Sequence, residues 1–216
     1  MYDVFISHSR VDRRFVDRLI SFLDKKQLTC WLDKKDLPPA EIWRSELQEA
    51  IIDADNFVFI ISPNSVDSEF CTQEINWAVK YNKRIIPIFL KVLRQDQKLD
   101  SALSERQWLE IDTNNEEKSF YDIVTAVRNE QKWYKQGTEY LRGAQKWKNG
   151  KEVFLARPEL ETARAWMEKG ANMNPGPTKL QIKYIHESES YHLKEAKKWE
   201  KLYSKSIARQ MARSHT

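Results

Sequence analysis

The segment that most limits the fold is NFVFIIS, residues 56–62. Five apolar side chains, Phe57 to Ile61, follow one another without the alternation of a half-exposed strand. Such a run is buried on both faces, a condition met by a parallel sheet with helices on each side. The flanking sequence fits that reading. DVFIS (residues 3–7), LTCWLD (28–33), RIIPIFL (84–90) and QWLEI (107–111) read as four more strands. Between them, RRFVDRLISFLDKKQ places Phe15, Val16, Leu19, Ile20 and Leu23 at helical spacing, and EIWRSELQEAIIDA does the same with Trp43, Leu47, Ala50 and Ile51. SPNSVDSEFCTQEINWAVK (62–80) reads as one further helix and EEKSFYDIVTAVRNE (116–130) as a closing one. Five strand–helix alternations predict an α/β fold: a flavodoxin-like parallel sheet in the order 2-1-3-4-5, with helices on both faces. Function in such a fold gathers at the carboxyl ends of the strands, where the winding reverses.

Charge divides the chain. Residues 1–130 carry 18 Lys and Arg against 23 Asp and Glu, and residues 131–216 carry 18 against 9. The second part reads as a smaller basic α-helical extension, with Trp133, Trp147, Trp166 and Trp199 among charged segments and breakers at NGK, ARPE and NMNPGPT. Its last helix bears Leu193, Ala196, Trp199, Tyr203, Ile207 and Met211 as an apolar stripe among lysines. That stripe fits a solvated surface, a partner or assembly surface, or contact with an anionic membrane or nucleic acid; the last is the least expected of the three. No apolar run reaches the roughly 18 residues of a membrane span, and MYDVFISHS does not read as a signal peptide, so a cytoplasmic location is expected. Cys30 and Cys71 form no CxxC pair and read as small buried thiols.

Several chemistries are missing from the motifs. There is no GxGxxG after the first strand, no GxxxxGK[ST], and no GxSxG around Ser7 or Ser62. His8, His186, His192 and His215 have no metal-ligand spacing, so no metal is expected. One acidic residue is out of place. If Cys71, Ile75 and Ala78 form a buried stripe, Glu74 lies on its margin, about 60° from Cys71 at roughly 100° per residue. A carboxylate there is commonly a loop cap or the partner of Lys83 or Arg84. Likewise, His8 reads as a solvated loop side chain, Arg10 equally as an ion-pairing or a phosphate-binding residue, and Trp43 and Phe70 as partly core.

Four pieces in register, YDVFISHSRVD, CWLDKKDLPPAEIWRSELQEAI, FVFIISPNSVDSEFCTQE and RIIPIF, resemble the bacterial type of TIR (Toll/interleukin-1 receptor) domain over about residues 1–130. The resemblance implies the flavodoxin-like sheet reached above from periodicity. It also implies an activity. Catalytic members carry a pattern like SxxSxWCxxE whose glutamate is needed to cleave NAD; here the pattern is Ser65, Ser68, Phe70, Cys71 and Glu74, with Phe70 where Trp is commoner. By the same resemblance Ser7, His8, Ser9 and Arg10, the neighbourhood of Leu37, Trp43 and Phe70 would bind substrate. The implied enzyme is an NAD+ nucleosidase giving nicotinamide and ADP-ribose or a cyclic isomer. NAD+ would be its substrate and it would use no cofactor. Self-association through the TIR domain would activate it, in bacterial defence or cell-death signalling. The alternative from another class is a non-catalytic TIR–TIR interaction module. Transfer of ADP-ribose to another acceptor is a third outcome. The extension resembles the stretch that follows the TIR domain in multidomain bacterial proteins, which implies further modules or a partner there.

Overall fold

A computed structural model describes residues 1–31 and 40–213, with the side chains of 40–43 and 208–213 outside that description. The chain divides into two compact units, Met1–Glu139 and Tyr140–Thr216.

The first unit is built on β1 (Tyr2–Ser7), β2 (Cys30–Trp31), β3 (Ala54–Ile61), β4 (Arg84–Phe89) and β5 (Leu109–Glu110). All pairings are parallel and the order is β2-β1-β3-β4-β5. Every residue of β3 is buried, as its apolar run requires. Its even and odd positions feed two separate cores. Val58 and Ile60 pack with Val16, Leu19 and Leu23 of α1 (Arg13–Lys25) and Ile123 and Val127 of α6 (Glu116–Arg128). Phe57, Phe59 and Ile61 pack with Leu47 and Ile51 of α2 (Ala40–Asp53) and with Cys71, Ile75 and Ala78 of α4 (Glu69–Lys80). Each fully buried aliphatic or aromatic side chain contributes about 1.5–3 kcal/mol. These two layers fix α1 and α4 against opposite faces of the sheet.

The stretch 62–80 forms two helices rather than the one read from the sequence. α3 (Pro63–Val66) starts at Ser62, whose hydroxyl accepts the Ser65 N–H, while Ser65 Oγ accepts the Ser62 N–H at 2.9 Å. Asp67 ends it, and Ser68 opens α4 by accepting the Cys71 N–H at 3.3 Å. Two serines each satisfy a free helix-start donor, so the chain stops and restarts within one turn. The short α5 (Ser101–Ser104) precedes β5.

α7 (Gln131–Lys148), α8 (Arg157–Lys169) and α9 (Lys179–Arg213) follow. In the second unit Tyr140 meets Trp166 edge to face at 5.0 Å, Phe154 stacks on Tyr191 at 4.3 Å, and Arg164 pairs with Glu189. Gly143 is required here: a Cβ in its place would stand 2.8 Å from the buried Tyr184 ring.

Candidate functional site

The winding reverses between β1 and β3, and their carboxyl ends are held in register by the pairing Ser7↔Phe59. From β1 the chain passes through His8 and Ser9 into a single 3-10 turn, Arg10–Asp12. From β3 it enters α3 and α4. These two exits build the site.

Glu74 lies on α4, half-buried, one turn beyond the buried Cys71. The Ser7 Oγ–H donates to its Oε2. Ser7 is only 1% exposed, so the hydroxyl expected to bind substrate is instead given to the carboxylate. The geometric cause is its position as the last residue of a central strand, directed at the first turns of α4. Lys83 and Arg84, the two cations expected from the sequence to pair with Glu74, make their hydrogen bonds around the start of β4. Lys83 Nζ donates to Ile52 O at 2.9 Å and Thr138 Oγ1 at 3.3 Å, and Arg84 Nη1 donates to Asn129 O at 3.0 Å.

Cys71 is not poised as a nucleophile. Burial, then the charge of Glu74, pushes its thiol up to about 11, against the opposing bonds from Ser68 and Ser7. Cys30 is likewise pushed up to about 12 by burial, with Asp3 and Asp24 adding to it.

His8 is half-buried rather than solvated, with Nδ1 3.2 Å from Ile6 O. A carbonyl only accepts, so this contact places a proton on Nδ1 and leaves Nε2 as the acceptor of the neutral ring. Burial is the main cause holding its pKa below the ordinary value, and Arg13 adds to this, against the Ile6 bond. Ser9 caps the 3-10 turn by accepting the Val11 N–H at 3.4 Å, and Arg10 is exposed. Phe70 is 61% exposed on the first turn of α4, not partly core. Leu37 falls outside the described residues. Trp43 lies in the span of α2, but its side chain is outside them too.

One part of the edge was missed in the sequence. Asp12 has a fully buried carboxylate that accepts from Ser62 Oγ and, at 2.6 Å, from Lys91 Nζ. It ties the exit of β1 to the exits of β3 and β4. The only sequence signal was an acidic residue close behind a strand end. A second tie fixes α3: Gln97 Nε2 donates to Pro63 O at 2.7 Å and Asp67 Oδ1 at 2.8 Å. Chemically, the described residues of the edge offer a half-buried carboxylate braced by a hydroxyl, a neutral imidazole, an exposed arginine and an exposed aromatic ring.

A family model described as "TIR domain" matches residues 4–124. A Brachypodium distachyon protein named "Probable 2' cyclic ADP-D-ribose synthase BdTIR" is 34% identical over 108 residues, 49% of this chain and 48% of that protein. A Cytobacillus dafuensis protein bearing the name cyclic ADP-D-ribose synthase TIR2 is 27% identical over 124 residues, 54% of this chain and 30% of that protein. The chain therefore spans less than half the length of these relatives. Among solved structures, the TIR domain of the Toll-related receptor TRR-2 from Hydra magnipapillata aligns with a TM-score of 0.49 and 18% identity, over 59% of this chain and 99% of that one.

Proposed function

We propose, from the premise that this chain belongs to the TIR domain family, that its first unit cleaves the nicotinamide–ribose bond of NAD+. The products are nicotinamide and ADP-ribose or a cyclic ADP-ribose isomer. The observation that carries this reading is the half-buried carboxylate of Glu74, braced by the buried Ser7 hydroxyl at the carboxyl edge of the sheet. The names of the two relatives, which both contain the words cyclic ADP-D-ribose synthase, support it.

A single carboxylate suffices for this bond. Ordinary glycosidases use two, one of them to protonate a poor leaving group. Nicotinamide in NAD+ is cationic before the bond breaks and departs neutral, so no general acid is needed. Positive charge develops on the ribose as the bond stretches. Glu74 stabilises that charge from a site where water screens it less than in bulk. Ser7 donates to one oxygen and fixes the carboxylate; it is a positioning residue. Phe70 offers an exposed ring against which a base can stack. His8, Ser9 and Arg10 leave the same edge and shape the substrate pocket. Trp43 and the neighbourhood of Leu37 take part through the resemblance alone.

Self-association through the TIR domain raises the activity, and a role in bacterial defence or cell death follows by analogy. The test is incubation of concentrated protein with NAD+, with and without a crowding agent, and chromatographic measurement of nicotinamide and of the ribosyl product. Nicotinamide release is expected. No release at any concentration would overturn the enzyme reading in favour of a non-catalytic TIR–TIR interaction module.

A further inference from the structure

α9 changes character along its length. Near its start Tyr184, Ile185 and Ser188 are buried. From Ala196 to Ile207 every residue is exposed. A helix bare on all sides gains no stability from packing, yet this one carries large apolar groups. Leu193, Trp199 and Tyr203 are 64%, 65% and 71% exposed, and Ile207 is exposed as well. At about 100° per residue these four fall within an arc of roughly 120°, which also holds Ala196 and, near its edge beside Leu193, Glu200. Lys194, Lys197, Lys198, Lys201 and Lys205 occupy a separate arc of roughly 100° on the other side. Leu202 is exposed outside the apolar arc. Between 193 and 207 the five lysines face only Glu195 and Glu200, a net of +3.

Three occupants could cover such a face, and the side chains choose among them. A second copy would bring the same excess of lysine. A nucleic acid would use the lysines and leave the apolar arc in water. An anionic bilayer uses both. Trp and Tyr rings sit at headgroup depth, aliphatic groups reach the acyl boundary, and lysines gain from the negative surface potential. No described helix is long and apolar enough to cross a membrane, so the fit is to lying in the interface.

We infer that the exposed turns of α9, from Leu193 to Ile207, form a docking surface for an anionic lipid bilayer. A lysine stripe alone does not select a membrane; the bare apolar arc beside it does. This surface does not depend on the reaction assigned to the first unit.

The test uses the full chain with phosphatidylcholine vesicles, with and without phosphatidylserine. Sedimentation is expected only with phosphatidylserine, and is lost in about 1 M salt, where the Debye length is near 3 Å. The double variant Trp199→Ala, Tyr203→Ala lowers the partition coefficient roughly tenfold or more. Both rings are solvent-exposed, so an unchanged circular dichroism melt accompanies that loss. Brominated lipid quenches part of the tryptophan emission, and that part disappears in Trp199→Phe. The proposal is overturned by no sedimentation with phosphatidylserine vesicles, by equal sedimentation of the double variant, or by displacement from vesicles by duplex DNA with no loss of DNA affinity in the double variant. Concentration-dependent dimerisation abolished by the double variant would assign the face to a second copy instead, and would overturn it as well.

Discussion

Replacing Ser7 by Ala isolates the support of the proposed catalytic carboxylate. Ser7 is 1% exposed at the end of β1, and its hydroxyl donates to Glu74 Oε2. Alanine keeps the strand pairing with Phe59 and removes a single oxygen. A hydrogen bond to a charged group contributes about 1.5–3 kcal/mol. Glu74 is half-buried, so water recovers part of this, and about 1–2 kcal/mol is the reasonable loss. If the bond holds the carboxylate in its reactive orientation, kcat falls about 5- to 30-fold at 1.36 kcal/mol per decade. KM should change little, since the 1% exposed Ser7 acts in this proposal through Glu74 alone. The fold should lose about 1 kcal/mol, a drop in Tm of about 2–4 °C for a chain of this size. Steady-state NAD+ cleavage alongside a calorimetric scan reads both quantities. A Ser7→Ala protein with native kcat would show that the bond does not organise Glu74. A large rise in KM at constant kcat would place Ser7 in the substrate pocket, against the reasoning above.

Other expectations follow from the same geometry. Phe70→Ala should leave stability within about 0.5 kcal/mol in a urea titration and raise KM for NAD+ about 2- to 10-fold through the lost stacking; a collapse in stability would refute the exposed placement. The His8 ring, held low mainly by burial, should titrate below 6.5 when followed by NMR; a midpoint above that value would contradict its burial. Asp55 is pushed up to about 6 by burial, against Thr138 and Lys83, and its Oδ1 takes no hydrogen bond among the described residues. A raised folded-state carboxyl pKa means the folded protein binds the proton more tightly, so Asp55 costs stability as pH rises from near 4 through about 6. Asp55→Asn should therefore stabilise the fold by about 1–3 kcal/mol at pH 7, with the gain shrinking as pH falls from 6 toward 4, in denaturant melts across that range. Equal pH slopes for native and variant proteins would refute it.

The sheet was legible because its strands carry near-continuous apolar runs and its helices keep their spacing; Phe57 to Ile61 alone required two covered faces. Boundaries were less legible. Ser62 and Ser68 are both helix-start residues, but with Glu69 to Lys80 continuing the periodicity nothing forced a break at Asp67 until the two caps were placed. Glu74 was visible as a carboxylate on the margin of a buried stripe. Its partner Ser7 lies 67 residues away and was expected to face substrate. Asp12 and Lys91 are 79 residues apart, and neither departs from an ordinary surface pattern in sequence. Only the convergence of three strand ends makes their pairing physical. Phe70 was expected to be partly core, on the apolar face of its helix; one step of about 100° from the buried Cys71 carries it to solvent.

The central claim is that the charge of Glu74 stabilises a ribose turning positive. The direct measurement is NAD+ consumption by the native chain and by Glu74→Gln at equal concentration. Glutamine is nearly isosteric and can still accept from Ser7, so the fold is kept and the charge is removed. Taking about 4 Å and an effective dielectric near 20, the interaction is about 4 kcal/mol, or about three decades in kcat. The account predicts a loss of that order with an unchanged melting profile. Equal NAD+ consumption by the two proteins would contradict it.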